Sequence, residues 1–169
     1  IRAWASEPGE YYQSFDGKYG GLWRRNGRPP QQLVGVGFTA QGTFIGMPYK
    51  RSTHESNMDW IFEGIDEDII GDFGFSGNGA AGFELDRVDS KLDEGQDIQI
   101  IAQSYDTEKD FMLVPEEQLT HLTNMSGDLE DNVRRADMIY FNVTGGGNVF
   151  STGSITSVSY THLRAHETL

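Results

Sequence analysis

The sequence predicts a mixed α/β domain weighted toward strands, with glycine-rich loops. Three observations carry that prediction. Glycine is abundant, 21 of 169 residues, and it is clustered at 17–23, 35–46, 71–82 and 144–154. Each cluster flanks a short apolar run, which is the punctuation of strands and turns. No long stretch carries the 3.6-residue apolar period of a surface helix, and no fixed-period repeat is visible.

The strands follow in order. Leu33–Phe38, Trp60–Ile65 and Gly82–Val88 are apolar or alternating runs bounded by glycine or charged turns. Ile98–Ser104 contains the compact run IQIIA, and Met138–Val143 reads MIYFNV, a run rich in β-branched and aromatic residues. Asn148–Gly153 lies within the last glycine cluster and is the final strand candidate. Two short helices are expected. One opens at Pro115 with Glu116 and Glu117 in its first turn, where carboxylates suit the positive helix start. The other covers Leu129–Ala136.

Bulk properties narrow the class. A chain of 169 residues suits one domain with a sizeable core. The apolar content is 37% and the aromatic content 12%, enough to fold rather than stay disordered. The net charge of −13 repels nucleic acid and anionic lipid, so both are set aside as partners. No apolar run reaches the length of a membrane span and no signal peptide is visible. With no cysteine there is neither a disulfide nor a thiol nucleophile, which agrees with a cytoplasmic protein. The chain starts at Ile1 without leader logic, so it reads as a piece of something longer.

Several motifs fail on inspection. Gly77-Asn-Gly79-Ala-Ala-Gly82 has the letters of a dinucleotide loop, but FELDRVD after it reads as a strand where a helix is required. Asp106 to Glu117 imitates a calcium loop, yet the sixth place holds Phe111 where the turn needs glycine. Asn124 and Asn142 head glycosylation sequons in a chain without secretory character. His54 and His121 stand alone, as surface or hydrogen-bonded histidines do.

At the C-terminus His162, His166 and Glu167 have the spacing of a metal site on a helix. The surrounding string has another source. One frame of a reverse-complemented transposase sequencing adapter translates to the same eleven residues, Val158–Thr168. Residues 158–169 therefore read as an artefact tail, and 1–157 as the native part.

The native part resembles a known family. GEYYQSFDGKYGGLWRRNGRPPQQLVGVGFTAQG (9–42) is similar to the C-terminal region of the large (β) subunit of N,N-dimethylformamidase. The resemblance continues through WIFEG (60–64), AAGFELDR (80–87), RADMIYF (135–141) and GGNVFSTGSI (146–155), in order and covering nearly all of 1–156. It implies part of a glutamine amidotransferase-like domain lacking the catalytic cysteine, incomplete in this chain. It further implies hydrolysis of N,N-dimethylformamide or a related small amide to formate and an amine. A mononuclear iron held by two tyrosines and a glutamate would serve that reaction. A small (α) subunit and further large subunits would be the partners. The family's iron ligands lie upstream of the matched region, the glutamate in a His-x-Glu segment absent from 1–157, so no metal ligand is assigned here.

A further carboxylate would take the proton of the attacking water and pass it to the leaving amine. Glu84 is the first choice, in an apolar strand after a glycine loop, where burial raises a carboxylate's pKa. Glu117 is the second. Phe150 and Phe141 can wall a pocket for the two N-methyl groups. The bland readings are an ion pair of Glu84 with Arg87, a solvated Glu117 at a helix start, and two core phenylalanines. Arg24, Arg25 and Arg28 have two readings, binding of a carboxylate product or, as the expectation, ion pairs with an acidic small subunit or with acidic loops of the chain itself. Trp23 and Trp60 are expected to anchor a core or an interface. The alternative to a hydrolase is a non-catalytic structural or ligand-binding module in a relative that lost the iron site.

Overall fold

The computed structural model describes residues 27–52, 57–73, 79–104, 111–114 and 133–157. The chain enters at Pro29-Pro30. Proline fixes φ near the helical value and lacks an amide donor, so it suits a helix start. One helical turn follows, α1 (Gln31–Val34), closed by Gly35 at φ 78°. Only glycine takes that left-handed conformation without a Cβ clash. This corrects the expected strand Leu33–Phe38, whose first half is helical because the proline pair starts a turn.

Among the described residues eight strands follow: β1 (Gly37–Met47), β2 (Tyr49–Arg51), β3 (Ile69–Ile70), β4 (Ala81–Arg87), β5 (Gln99–Ser104), β6 (Met112–Leu113), β7 (Asp137–Asn142) and β8 (Asn148–Ser151). They make a three-stranded sheet ordered β4-β1-β6 and a five-stranded sheet ordered β3-β2-β5-β7-β8. Every pairing among the described residues is antiparallel. The expected weighting toward strands holds among the described residues, while the expected mixed α/β character is corrected to two antiparallel sheets with few helices. Short turns explain it, since hairpins need few linking residues and parallel strands need long crossovers. The β7–β8 hairpin turns through Gly145, Gly146 and Gly147, at φ 99°, 107° and 97°.

Trp60–Ile65 is the second correction. It is a 310 turn, Asp59–Phe62, with Ile61 N–H bonded to Met58 O and Ile65 N–H to Phe62 O. Phe62 is buried but Trp60 is exposed, so the run presents no strand face. The expected helix at Pro115 lies outside the described residues, as does the part of Leu129–Ala136 before Val133.

The chain passes from one sheet to the other at Met47-Pro48-Tyr49, where proline interrupts the ladder. The main core joins residues of both sheets, Ala40, Met47 and Leu85 with Tyr49 and Ala102, and Phe111, just before β6, packs among them. A smaller cluster of Val36, Ile139 and Phe141 lies beside Val88, Ile98, Ile100 and Val149. Asp137, fully buried, ties the sheets together: Oδ2 accepts the Val88 amide at 2.8 Å, and Oδ1 accepts Gln103 Nε2 and Arg135 Nε, both at 2.8 Å.

Candidate functional site

The site grows out of β4. Gly82 and Gly46 face each other where β4 and β1 meet. A Cβ on Gly82 would lie 2.7 Å from the Gly46 Cα, so the two backbones touch. Next comes a wide irregularity: Gln41 pairs with Glu84 and Gly46 with Gly82, leaving residues 42–45 opposite Phe83 alone. Phe83 sits at φ 61°, an uncommon value for a non-glycine residue that concentrates near functional sites.

Glu84 and Asp86 follow at alternate positions, so they share one face of β4 while Leu85 and Arg87 take the buried side. Both carboxylates are partly buried. Burial raises the Glu84 pKa. Burial, and then the charge of Glu84, raise Asp86 to about 7. Two carboxylates this close on one face cannot both ionise freely, so the pair carries a proton into the neutral range.

A hydroxyl-rich strap, Thr152–Ser157, runs along the outer edge of β4 and fixes its main chain. Its Gly153 carbonyl accepts the Asp86 amide at 2.8 Å. Ser154 Oγ accepts the Gly82 amide at 2.8 Å and donates to the Gly82 carbonyl at 2.9 Å. Thr156 Oγ1 donates to that carbonyl at 2.6 Å, and Ser157 Oγ to Ala80 O at 2.8 Å. From the other sheet, Tyr49 Oη donates to Thr152 O at 2.6 Å. Burial, with the nearby charges of Asp86 and Asp137, holds the Tyr49 phenol above its ordinary value. Ser154 is engaged on both sides by one residue, so it is a latch and not a free nucleophile.

The described residues do not fit an iron centre. Tyr49 is kept protonated and gives its hydrogen to a carbonyl, the opposite of a tyrosinate ligand. No group of three or more His, Asp or Glu side chains among the described residues can hold a metal. The arrangement can hold and move a proton on the Glu84–Asp86 pair, in a setting where solvent is partly excluded.

Of the residues singled out in the sequence, Glu84 stands at this site. Its proposed partner Arg87 instead turns to Val88 O and Asp89. Glu117, His54, His121, Trp23 and the C-terminal trio lie outside the described residues. Phe141 and Phe150 belong to β7 and β8 of the other sheet, Phe141 in the smaller core and Phe150 half-exposed. Sequence reasoning missed Asp86, Tyr49 and the strap. The Glu-x-Asp spacing in AAGFELDR was the available signal, because alternate residues of a strand share a face.

Comparison with known proteins gives the family. The model described as "N,N-dimethylformamidase beta subunit-like, C-terminal" matches residues 1–160. The N,N-dimethylformamidase beta subunits of Alcaligenes sp and Paracoccus aminophilus are each 36% identical over 162 residues, covering 92% of this chain and 21% of theirs. The chain therefore spans about one-fifth of the length of these curated relatives.

Proposed function

Because the chain belongs to the N,N-dimethylformamidase beta subunit-like family, we propose that its parent hydrolyses N,N-dimethylformamide or a related small amide, and that Glu84 and Asp86 handle protons in that reaction. The observation that carries the residue assignment is the pair itself: two partly buried carboxylates on one strand face, with Asp86 raised to about 7 by burial and by Glu84. Such a group is half ionised near neutral pH, where a general base and its conjugate acid both work best.

The proton balance is simple. The ionised carboxylate takes a proton from the water that attacks the amide carbon. The C–O bond forms, the C–N bond breaks, and the same proton goes to the departing amine. The products are formate and dimethylamine from dimethylformamide. The strap fixes the β4 backbone from which both carboxylates project. Iron belongs to the proposal as a group bound by the parent outside the residues described here. A glutamine amidotransferase-like domain for the parent, a cytoplasmic location and assembly with a small subunit belong to it on the same footing. So does the reading of 158–169 as adapter-derived.

The test is formate release by the complete iron-loaded large subunit, co-expressed with the small one. Activity on dimethylformamide that falls about a hundredfold in kcat in Asp86→Asn supports the reading. No release from any small amide by the wild type sinks the hydrolase and leaves the structural module. Full activity in Asp86→Asn and Glu84→Gln sinks the residue assignment alone.

A further inference from the structure

The ladder of the three-stranded sheet determines which side chains surround the carboxylate pair. Gln41 on β1 pairs with Glu84 on β4 and with Met112 on β6, and Phe38 pairs with Asp86. Opposite residues of an antiparallel ladder point to the same face, with Cβ atoms about 5 Å apart. Burial agrees with the register. The next row, Leu85–Ala40–Leu113, is buried from end to end, whereas Glu84, Gln41 and Met112 are not. Glu84, Asp86, Gln41 and Phe38 therefore share one face.

Phe38 is on that face because of a bulge. Residues three apart on a regular strand face opposite ways, which would separate Phe38 from Gln41. The register slips between Phe38 and Ala40, so Thr39 and Ala40 together oppose Leu85 and the ring returns to the side of Gln41. The bulge is braced. Thr39, fully buried, donates from Oγ1 to Gly37 O at 3.1 Å, and its carbonyl accepts the Val114 amide at 2.9 Å. Gln41, Glu84 and Asp86 spend their side-chain polar atoms on no hydrogen bond or ion pair among the described residues.

The two pairs differ in chemistry. Gln41 beside Glu84 offers a carboxamide N–H, which donates to a carbonyl oxygen. Phe38 beside Asp86 offers an aromatic ring, against which methyl groups leave water. Two residues along a strand advance about 7 Å, which leaves room for one small amide lying along β4. We propose that Gln41 and Phe38 determine the specificity of the Glu84–Asp86 site: Gln41 holds the oxygen end of an N,N-dialkyl amide, and Phe38 receives its N-alkyl groups. The nitrogen then lies on the Asp86 side, where the departing amine needs its proton. This inference rests on the hydrolytic role proposed for the pair and adds the orientation of the substrate. Register fixes these neighbours whatever other part of the parent closes over the face.

The experiment measures formate release by the complete iron-loaded large subunit, co-expressed with the small one, from N,N-dimethylformamide and from formamide, which lacks both methyl groups. Phe38→Ala should lower kcat/KM for dimethylformamide about tenfold more than for formamide. Phe38→Leu, which keeps apolar bulk, should recover most of that difference. Gln41→Ala should raise KM about tenfold for both substrates, with the melting temperature held because Gln41 is exposed. Unchanged kcat/KM for dimethylformamide in Phe38→Ala overturns the alkyl end, as does an equal loss on both substrates. Wild-type KM in Gln41→Ala overturns the oxygen end. Loss of activity in Asp86→Asn, with wild-type kinetics in both the Phe38 and Gln41 variants, removes this inference and leaves the pair its role. Full activity in Asp86→Asn and Glu84→Gln, or no release from any small amide by the wild type, overturns both.

Discussion

Asp86 differs from an ordinary surface aspartate in what it sits beside. Burial comes first and Glu84 second in lifting it from 3.8 to about 7. The folded chain keeps that proton between these values while the unfolded chain has released it. Folding therefore binds protons there, and stability falls as pH rises from about 4 to about 7, then levels. Asp86→Asn, which mimics the protonated form, should melt higher than wild type at pH 8, by roughly 2 kcal/mol, with the difference gone at pH 4. Thermal melts across that range check the sign, and a wild type that gains stability toward pH 8 would refute it. In the complete enzyme the same substitution should remove a pH–rate limb near neutrality. Tyr49 obeys a different rule, because its hydroxyl is spent on Thr152 O. Tyr49→Phe should cost about 1 kcal/mol in chemical denaturation and leave the pH dependence unchanged.

At the scale of elements, the β1–β4 pair and the strap depend on each other. β1 is eleven residues long, but its ladder with β4 is broken twice, so it is not rigid by pairing alone. Glycines bring the two strands together where the ladder resumes, and the strap latches that point through Ser154 and Thr156. A methyl group on Gly46 would run into the Gly79 backbone, which cannot move aside as a flexible side chain can. Gly46→Ala should cost several kcal/mol, about 2–4, and should weaken the Asp86 site with the fold. Ser154→Ala leaves the Gly82 amide without its acceptor while space is preserved, at about 1–2 kcal/mol. Hydrogen exchange at the Gly82 amide separates them: Ser154→Ala should speed that amide locally, and Gly46→Ala should speed the whole β1–β4 pair.

For the whole molecule, the relevant fact is proportion. The chain corresponds to 21% of each relative, and the described residues offer no iron site. The chain alone should release no formate from dimethylformamide, with or without added iron. Detectable hydrolysis would show that metal ligands lie within it after all. The sheets also end in short strands, β3 and β6 having two residues each, so little main chain seals those edges. Expressed alone, the chain should aggregate in a concentration-dependent way, which light scattering reads directly, and its complete parent should not.

Strands were legible where composition decides them. The runs in β4, β5, β7 and β8 are apolar or alternating and bounded by turn formers, and they stand within a few residues of their expected places. The segment from Leu33 and the run at Trp60 were not legible, because a proline pair and a set of local i to i+3 bonds outweighed β propensity there. Glu84 was readable as a carboxylate in an apolar strand after a glycine loop, and the family was readable in motifs such as GGNVFSTGSI. What the sequence determined is thus the local preference of each run and the kinship. Only the tertiary structure decided that the sheets are antiparallel, how far Glu84 and Asp86 are buried, and that Tyr49 and a serine-threonine strap brace the site. The reason is physical: pairing partners, burial and the pKa of a carboxylate are set by neighbours distant in the chain, and no local pattern encodes them.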